Sequence, residues 1–318
     1  MNAQEIRTVA IVGAGIMGHG IAQVFASAGK SVYVMDTHEA ALSSVGTRVT
    51  RNLAQFVEAG LLQADGVEPI VNRIRTTTSL ADAVREADIV FEAAAENPDV
   101  KKALFNQLDA LCPQHTILAS NSSSLLISEF ASETQRQDRC ILTHWINPPH
   151  IVPAVEVIPG RFTSDQTIET VCELLRGVGK VPVRVQKEIP GYLVNRIQMA
   201  MFREVWALWG EGIASAEDLD TAVRCSFGFR LPTIGPLLSN DLAGTDTAYT
   251  IARRLLPELN AAPEPSSAFG EMIEGGDYGK KTGKGFYERS EEQWQEIIEA
   301  RDRELLARLK CLYPPTSG

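Results

Sequence analysis

The stretch Thr8-Val9-Ala10-Ile11-Val12-Gly13-Ala14-Gly15-Ile16-Met17-Gly18 decides how the whole 318-residue sequence is read. A run of β-branched and apolar residues comes first, glycines follow at G-x-G-x-x-G spacing, and an amphipathic stretch then runs from Met17 to Ser27. Glycine spacing alone is a weak signal, because protein kinases share it; the placement between a strand and a helix is what binds a dinucleotide. Neither H-R-D nor D-F-G occurs, which removes the kinase reading. Gly13 permits the tight turn, Gly15 lets the backbone approach a pyrophosphate, and Gly18 lets helix and strand pack closely. The pyrophosphate is then expected beside Ile16 and Met17, at a helix N-terminus whose free N–H groups favour anions. Asp36 closes the next strand, Ser31-Val32-Tyr33-Val34-Met35, about 20 residues downstream of the turn as the fingerprint requires. A carboxylate there accepts ribose hydroxyls and repels an extra phosphate, so the expected cofactor is NAD rather than NADP.

Working outward, apolar runs alternate with amphipathic stretches as far as Val185. Thr8–Val12, Ser31–Met35, Asp88–Phe91, Thr116–Ala119, Cys140–Thr143 and Val155–Ile158 read as strands, with Met17–Ser27, Val100–Leu111 and Asp165–Gly179 as helices between them. Repeated βαβ units imply a Rossmann-type, doubly wound α/β sheet. The punctuation at Lys187-Glu188-Ile189-Pro190-Gly191 ends that regime. Beyond it Leu193, Ile197, Met201, Val205 and Leu208 recur at helical spacing, so an all-α domain over 189–318 is expected after a nucleotide-binding domain over 1–188. Ser290–Leu309 reads as a charged amphipathic helix at a surface or subunit contact.

Composition narrows the class. A formal net charge of −10 argues against nucleic acid, which needs a basic face. No apolar run is long enough for a membrane span, and the polar Met1–Arg7 does not read as a secretory signal. The 5 cysteines are scattered without a C-x-x-C pair, which predicts buried thiols in a reducing cytoplasm and no metal site.

Among the 5 histidines, His144 ends a strand, where open α/β sheets bind ligands. Glu156 lies in the apolar run Val155-Glu156-Val157-Ile158, and a buried carboxylate needs a partner; an imidazole is the reasonable one. Such a dyad suits alcohol oxidation: the histidine takes the hydroxyl proton and the glutamate fixes its tautomer. His150 is a second site candidate or an ordinary loop residue, and His19, His38 and His115 receive no role.

The sequence resembles the 3-hydroxyacyl-CoA dehydrogenase family along nearly its whole length. The segments that carry the likeness are VAIVGAGIMGHGIAQVFASAG, FEAAAENPDVKKALF, ASNSSS, HWINPPHIVPAVEVI, PGYLVNRI and GKKTGKGFYE. The resemblance implies His144 and Glu156 as the catalytic pair, Ser123 and Asn195 toward the substrate oxygen, and Glu96 and Lys101 on the cofactor side. It also implies a homodimer through the helical domain.

CoA-using members carry lysine and serine contacts on a helical hairpin after the second strand. The equivalent stretch Leu42–Asn72 has Arg48 and Arg51 but no lysine, against Glu58, Asp65 and Glu68. The Asn147-Pro148-Pro149 stretch and Gly228-Phe229-Arg230-Leu231 resemble instead the small-substrate branch, which includes L-gulonate, L-carnitine and pyridine-carboxylate dehydrogenases. Arg230 could clamp a free carboxylate, and Asn147 also belongs to the expected substrate set. GKKTGKGFYE matches the acyl-CoA members better. The expected activity is therefore NAD-dependent oxidation of the 3-hydroxyl of a small 3-hydroxy acid to the ketone, with His144 as general base. The alternatives are a 3-hydroxyacyl-CoA thioester as substrate, or a non-catalytic, crystallin-like NAD-binding protein.

Overall fold

Strands that bury every side chain must be covered on both faces, and the continuous apolar runs form one sheet of this kind. The structure, a computed structural model, describes residues 1–312. Its strands are β1 (Thr8–Val12), β2 (Ser31–Met35), β3 (Ile74–Thr77), β4 (Ile89–Glu92), β5 (Ile117–Ser120), β6 (Cys140–Trp145), β7 (Ala154–Pro159) and β8 (Val181–Arg184). They stand in the order β3-β2-β1-β4-β5-β6-β7-β8, an 8-stranded sheet. Every neighbouring pair is parallel except β6–β7, which is antiparallel. The helices α1 (Gly18–Ser27), α2 (Glu39–Glu58), α3 (Val67–Val71), α4 (Leu80–Val84), α5 (Pro98–Leu111), α6 (Ile127–Phe130) and α7 (Asp165–Gly177) connect them.

The alternation along β1 sorts the core. Val9 and Ile11 face one apolar cluster with Ile21 and Phe25 of α1, while Ala10 and Val12 face another with Phe105 and Leu108 of α5. The expected Rossmann sheet is present, with two strands more than the sequence reading gave. β3 is short and half polar, and β8 carries Pro182; both are edge strands, where a proline is tolerated and apolar content is not required.

The chain divides into two compact units. Of the described residues, the first comprises Met1–Asn195 together with Glu299–Leu312, and the second Arg196–Ile298. The second is all helical apart from isolated bridges: most of α8 (Val194–Gly210), then α9 (Ala216–Cys225), α10 (Phe227–Arg230), α11 (Pro236–Ala243), α12 (Thr245–Leu255) and α13 (Ser267–Glu274). Ala207 is the only buried residue described in this unit. The last helix, α14 (Glu291–Leu312), begins in the second unit and ends in the first. No described helix is long and apolar enough to cross a membrane.

Candidate active site

The glycine turn is held by contacts that admit no other residue at two of its positions. Gly13 has φ +111°, and a Cβ there would lie 2.4 Å from the carbonyl oxygen of Ala93. At Gly18 a Cβ would lie 1.8 Å from the Gly13 oxygen. A Cβ on Gly15 meets nothing within 4 Å, so its outer side is open to a ligand. Arg48 of α2 donates to the carbonyls of Ala14 and Gly15 and stiffens the turn from behind. Asp36 accepts from Ala14 N at 2.8 Å and His38 N at 2.9 Å. Burial opposes its charge, but these N–H groups and the His38 side chain outweigh it and hold the carboxyl below its usual range. A cavity of about 590 Å³ runs along Gly13, Gly15, Asp36, Ala93, Val100 and Leu104. An open glycine cradle beside a carboxylate at a strand end fits the pyrophosphate and ribose of NAD.

Glu96 gathers the turn after β5. One of its oxygens accepts from the Ser122 hydroxyl at 2.6 Å, from Ser123 N and Ser124 N at 2.9 Å each, and from the Ser124 hydroxyl at 3.0 Å. Burial works against ionisation there, yet Ser122, Ser124 and the Lys101 ammonium prevail and hold the carboxyl at about 2. Lys101 is fully buried, with Nζ 2.7 and 2.8 Å from the two Glu92 oxygens and 3.4 Å from Glu96. Its charge is therefore spent inside the fold, on Glu92 and Glu96. Glu92 has no exposure and also accepts from Ser120 and from Ala94 N, so this interior pair is fully hydrogen-bonded.

The antiparallel turn of the sheet creates the other half of the site. Because β7 reverses against β6, Glu156 falls directly opposite His144, and both side chains share one face. His144 Nδ1 lies 2.7 Å from Glu156 Oε2, and the carboxyl has no exposure. Its Oε1 accepts from Leu193 N at 2.8 Å and Val194 N at 3.0 Å, the entry to α8. Two backbone N–H groups already donate to this carboxyl, so an Nδ1–H facing Oε2 completes its set of donors and would leave Nε2 as an acceptor. The Tyr192 ring packs 5.3 Å from the imidazole, and its hydroxyl donates to the Leu125 carbonyl. Asn195 Nδ2 donates to the Ser123 carbonyl at 3.0 Å, which joins two motifs far apart in sequence.

The loop after His144 is anchored from beneath. Lys180 donates to the carbonyls of Pro149 and Val152 at 2.7 and 2.8 Å, and burial lowers its pKa to about 7. His150, in the same loop, has both ring nitrogens buried without a hydrogen-bond partner among the described residues. Burial first, then the charges of His19, Lys180 and Arg301, depress its pKa to about 3, so it stands neutral. Asn147 is exposed at the start of that loop, and Ile16 is exposed on the glycine turn with Met17 behind it. Arg230 is exposed in the second unit, at the end of α10. Glu92, Lys180 and Tyr192, and the hold of Arg48 on the glycine turn, went unread in the sequence. A charged residue inside the apolar strand Ile89-Val90-Phe91-Glu92 was the one signal that could have found Glu92.

A Rossmann sheet with an anion-binding turn at one set of strand ends and a buried imidazole–carboxylate pair on β6 and β7 defines an NAD-dependent dehydrogenase acting on hydroxyl groups. Residues 8–189 match the NAD-binding domain of 3-hydroxyacyl-CoA dehydrogenase and residues 191–289 its C-terminal domain. The chain belongs to this family. It is 34% identical over 95% of its length to 5-formyl-3-hydroxy-2-methylpyridine 4-carboxylate 5-dehydrogenase of Mesorhizobium japonicum, covering 97% of that protein. It is 37% identical over 88% of its length to 3-hydroxybutyryl-CoA dehydrogenase of Clostridioides difficile, covering 98% of it. Among solved structures, a 5-formyl-3-hydroxy-2-methylpyridine 4-carboxylic acid 5-dehydrogenase superposes with TM-score 0.90 at 33% identity, over 97% of this chain and 99% of that one. The (S)-3-hydroxybutyryl-CoA dehydrogenase of Ralstonia eutropha superposes with TM-score 0.74 at 38% identity, over 90% of this chain and 100% of that one.

Proposed function

We propose that the protein oxidises the 3-hydroxyl of a small carboxylated substrate to the ketone, or reduces that ketone, with His144 as general base or acid. The observation that carries this reading is the 2.7 Å contact between His144 Nδ1 and buried Glu156. With the Nδ1 proton committed to the carboxylate, Nε2 takes the hydroxyl proton, and Glu156 stabilises the imidazolium that forms. NAD, when bound, accepts the hydride from the carbinol carbon. The Ser123 hydroxyl and the second N–H of the Asn195 amide donate to the substrate oxygen as its charge changes, and Asn147 lies on the substrate side. Arg230 is assigned to the free carboxylate.

A free acid is favoured over a CoA thioester because the cations of α2 are already engaged. Arg48 donates to the glycine turn, and Arg51 faces Glu299 at 3.9 Å. The polyphosphate of CoA needs several available cations. The likeness to a pyridine-carboxylate dehydrogenase over 97% of the chain supports the same choice, while the 37% identity to a CoA dehydrogenase keeps the thioester as the second reading. A screen for NADH formation with 3-hydroxybutyryl-CoA, free 3-hydroxy acids, sugar acids, carnitine and pyridine alcohols decides between them. His144→Ala should lower kcat by about 10²–10⁴-fold with NAD affinity unchanged; a retained rate removes the dyad mechanism.

We also infer a homodimer through the helical unit. Leu237 and Leu242 there are 79% and 76% exposed, and apolar surface on this scale calls for a partner. Sedimentation should give a dimer at micromolar concentration; a monomer refutes it. The unpaired thiols, with Cys112, Cys140 and Cys172 buried, support a cytoplasmic location.

A further inference from the structure

One loop joins the two halves of the dyad. Residues 146–153 connect β6, which carries His144, to β7, which carries Glu156. The register across the loop sets His144 opposite Glu156 and Trp145 opposite Val155, so the shape of the loop determines how the two side chains meet. Three of its eight residues, Pro148, Pro149 and Pro153, have no N–H, which leaves its backbone short of donors. Ile151 N and Val152 N both turn to the Pro148 carbonyl, at 3.0 and 2.9 Å. Pro149 and Ile151 are buried, and buried carbonyls need partners.

Lys180 supplies them. It immediately precedes β8, is 6% exposed, and places Nζ 2.7 Å from the Pro149 carbonyl and 2.8 Å from that of Val152. The same Nζ lies 5.8 Å from the centre of the Trp145 ring, next in the chain to His144. An ammonium has three N–H groups and a neutral amine still two, so both carbonyls are held in either charge state. A second contact packs the loop on α1. A Cβ on Gly20 would lie 2.7 Å from Pro149 Cγ and 3.1 Å from His150 Nδ1, so glycine alone admits the loop this close.

We propose that Lys180 is a positioning residue for the reaction: with Gly20 it fixes the proline-rich loop between β6 and β7, and through that loop the alignment of His144 on Glu156. This rests on the dyad reading above. The test uses Lys180→Met, which keeps the apolar stem and removes the donors, and Gly20→Ala, which crowds the same loop from α1. Folding is checked by circular dichroism and NAD affinity by fluorescence quenching. The kcat is read from NADH formation with the best substrate of the screen above. The His144 Nδ1 proton is read from its downfield proton NMR resonance, assigned by its loss in His144→Ala. Lys180→Met should keep NAD affinity within about threefold, lower kcat about tenfold or more, and shift or broaden that resonance. A native kcat, or a lowered kcat with the resonance unmoved, overturns the proposal, because the dyad then does not depend on the hold. An equal loss of NAD affinity assigns Lys180 to the fold at large and overturns it too. Should Lys180→Met not fold, Gly20→Ala is judged by the same criteria. If His144→Ala retains its rate, the dyad reading falls and takes the proposal with it.

Discussion

Glu156→Gln separates the chemistry of the dyad from its packing. In the native site Oε1 accepts two backbone N–H groups, at 2.8 and 3.0 Å, and Oε2 meets His144 Nδ1 at 2.7 Å. The amide has one acceptor and one donor group, so it must choose. With its oxygen on Leu193 and Val194, its NH₂ points at Nδ1, which must then accept; the imidazole proton moves to Nε2 and a donor stands where the base is needed. The flipped amide would keep the tautomer but set NH₂ against two backbone N–H groups, leaving buried donors unpaired at roughly 1–3 kcal/mol each. The first orientation wins. Losing a positioned base lowers kcat by about 10²–10⁴-fold, or about 3–5 kcal/mol of barrier. Stability responds differently. Three charge-assisted hydrogen bonds become neutral ones, a loss of about 1 kcal/mol each, while the cost of burying a charge, several kcal/mol, disappears. The two offset to within about 1–2 kcal/mol, so the fold survives. The assays are kcat from NADH formation with the preferred substrate, NAD affinity by fluorescence quenching, and urea unfolding. A kcat within about threefold of the native value, with NAD binding intact, would show that the tautomer does not matter and refute the dyad.

Three further outcomes follow from the geometry. Gly13→Ala puts a methyl 2.4 Å from the Ala93 oxygen at φ +111°, so it should destabilise the fold as well as abolish NAD binding, whereas Gly15→Ala meets no protein atom within 4 Å. The latter should leave unfolding free energy within about 0.5 kcal/mol of native and weaken only NAD; equal loss of stability in both would overturn the cradle. Burial lowers Lys180 from 10.5 to about 7, so across that window the unfolded chain binds the extra proton and native stability should rise with pH. Lys180→Met should flatten that slope in urea titrations at stepped pH; an unchanged slope denies Lys180 the role. Arg230→Ala should raise KM for free acids about tenfold and spare thioesters, and equal effects on both would rule out a carboxylate clamp.

The features fixed by local spacing were legible before any coordinates. Gly13, Gly15, Gly18 and Asp36 act within one βαβ unit, where the distance along the chain determines the distance in space, so the NAD fingerprint and the alternating sheet could be read directly. The burial of Glu156 and its need for an imidazole were also legible, because an unpaired interior carboxylate is too costly to occur. The tertiary structure alone decided how those groups meet. The reversal of β7 set Glu156 opposite His144, and the entry to α8 supplied its backbone donors. Glu96 collected Ser122, Ser123 and Ser124, Lys101 turned inward to Glu92, and Glu299 and Lys310 came back to α2 and its end. Each of these contacts joins segments whose separation along the chain is closed by packing of the whole sheet and its helices. Periodicity reports which face of an element is apolar, but not which partner that face will find.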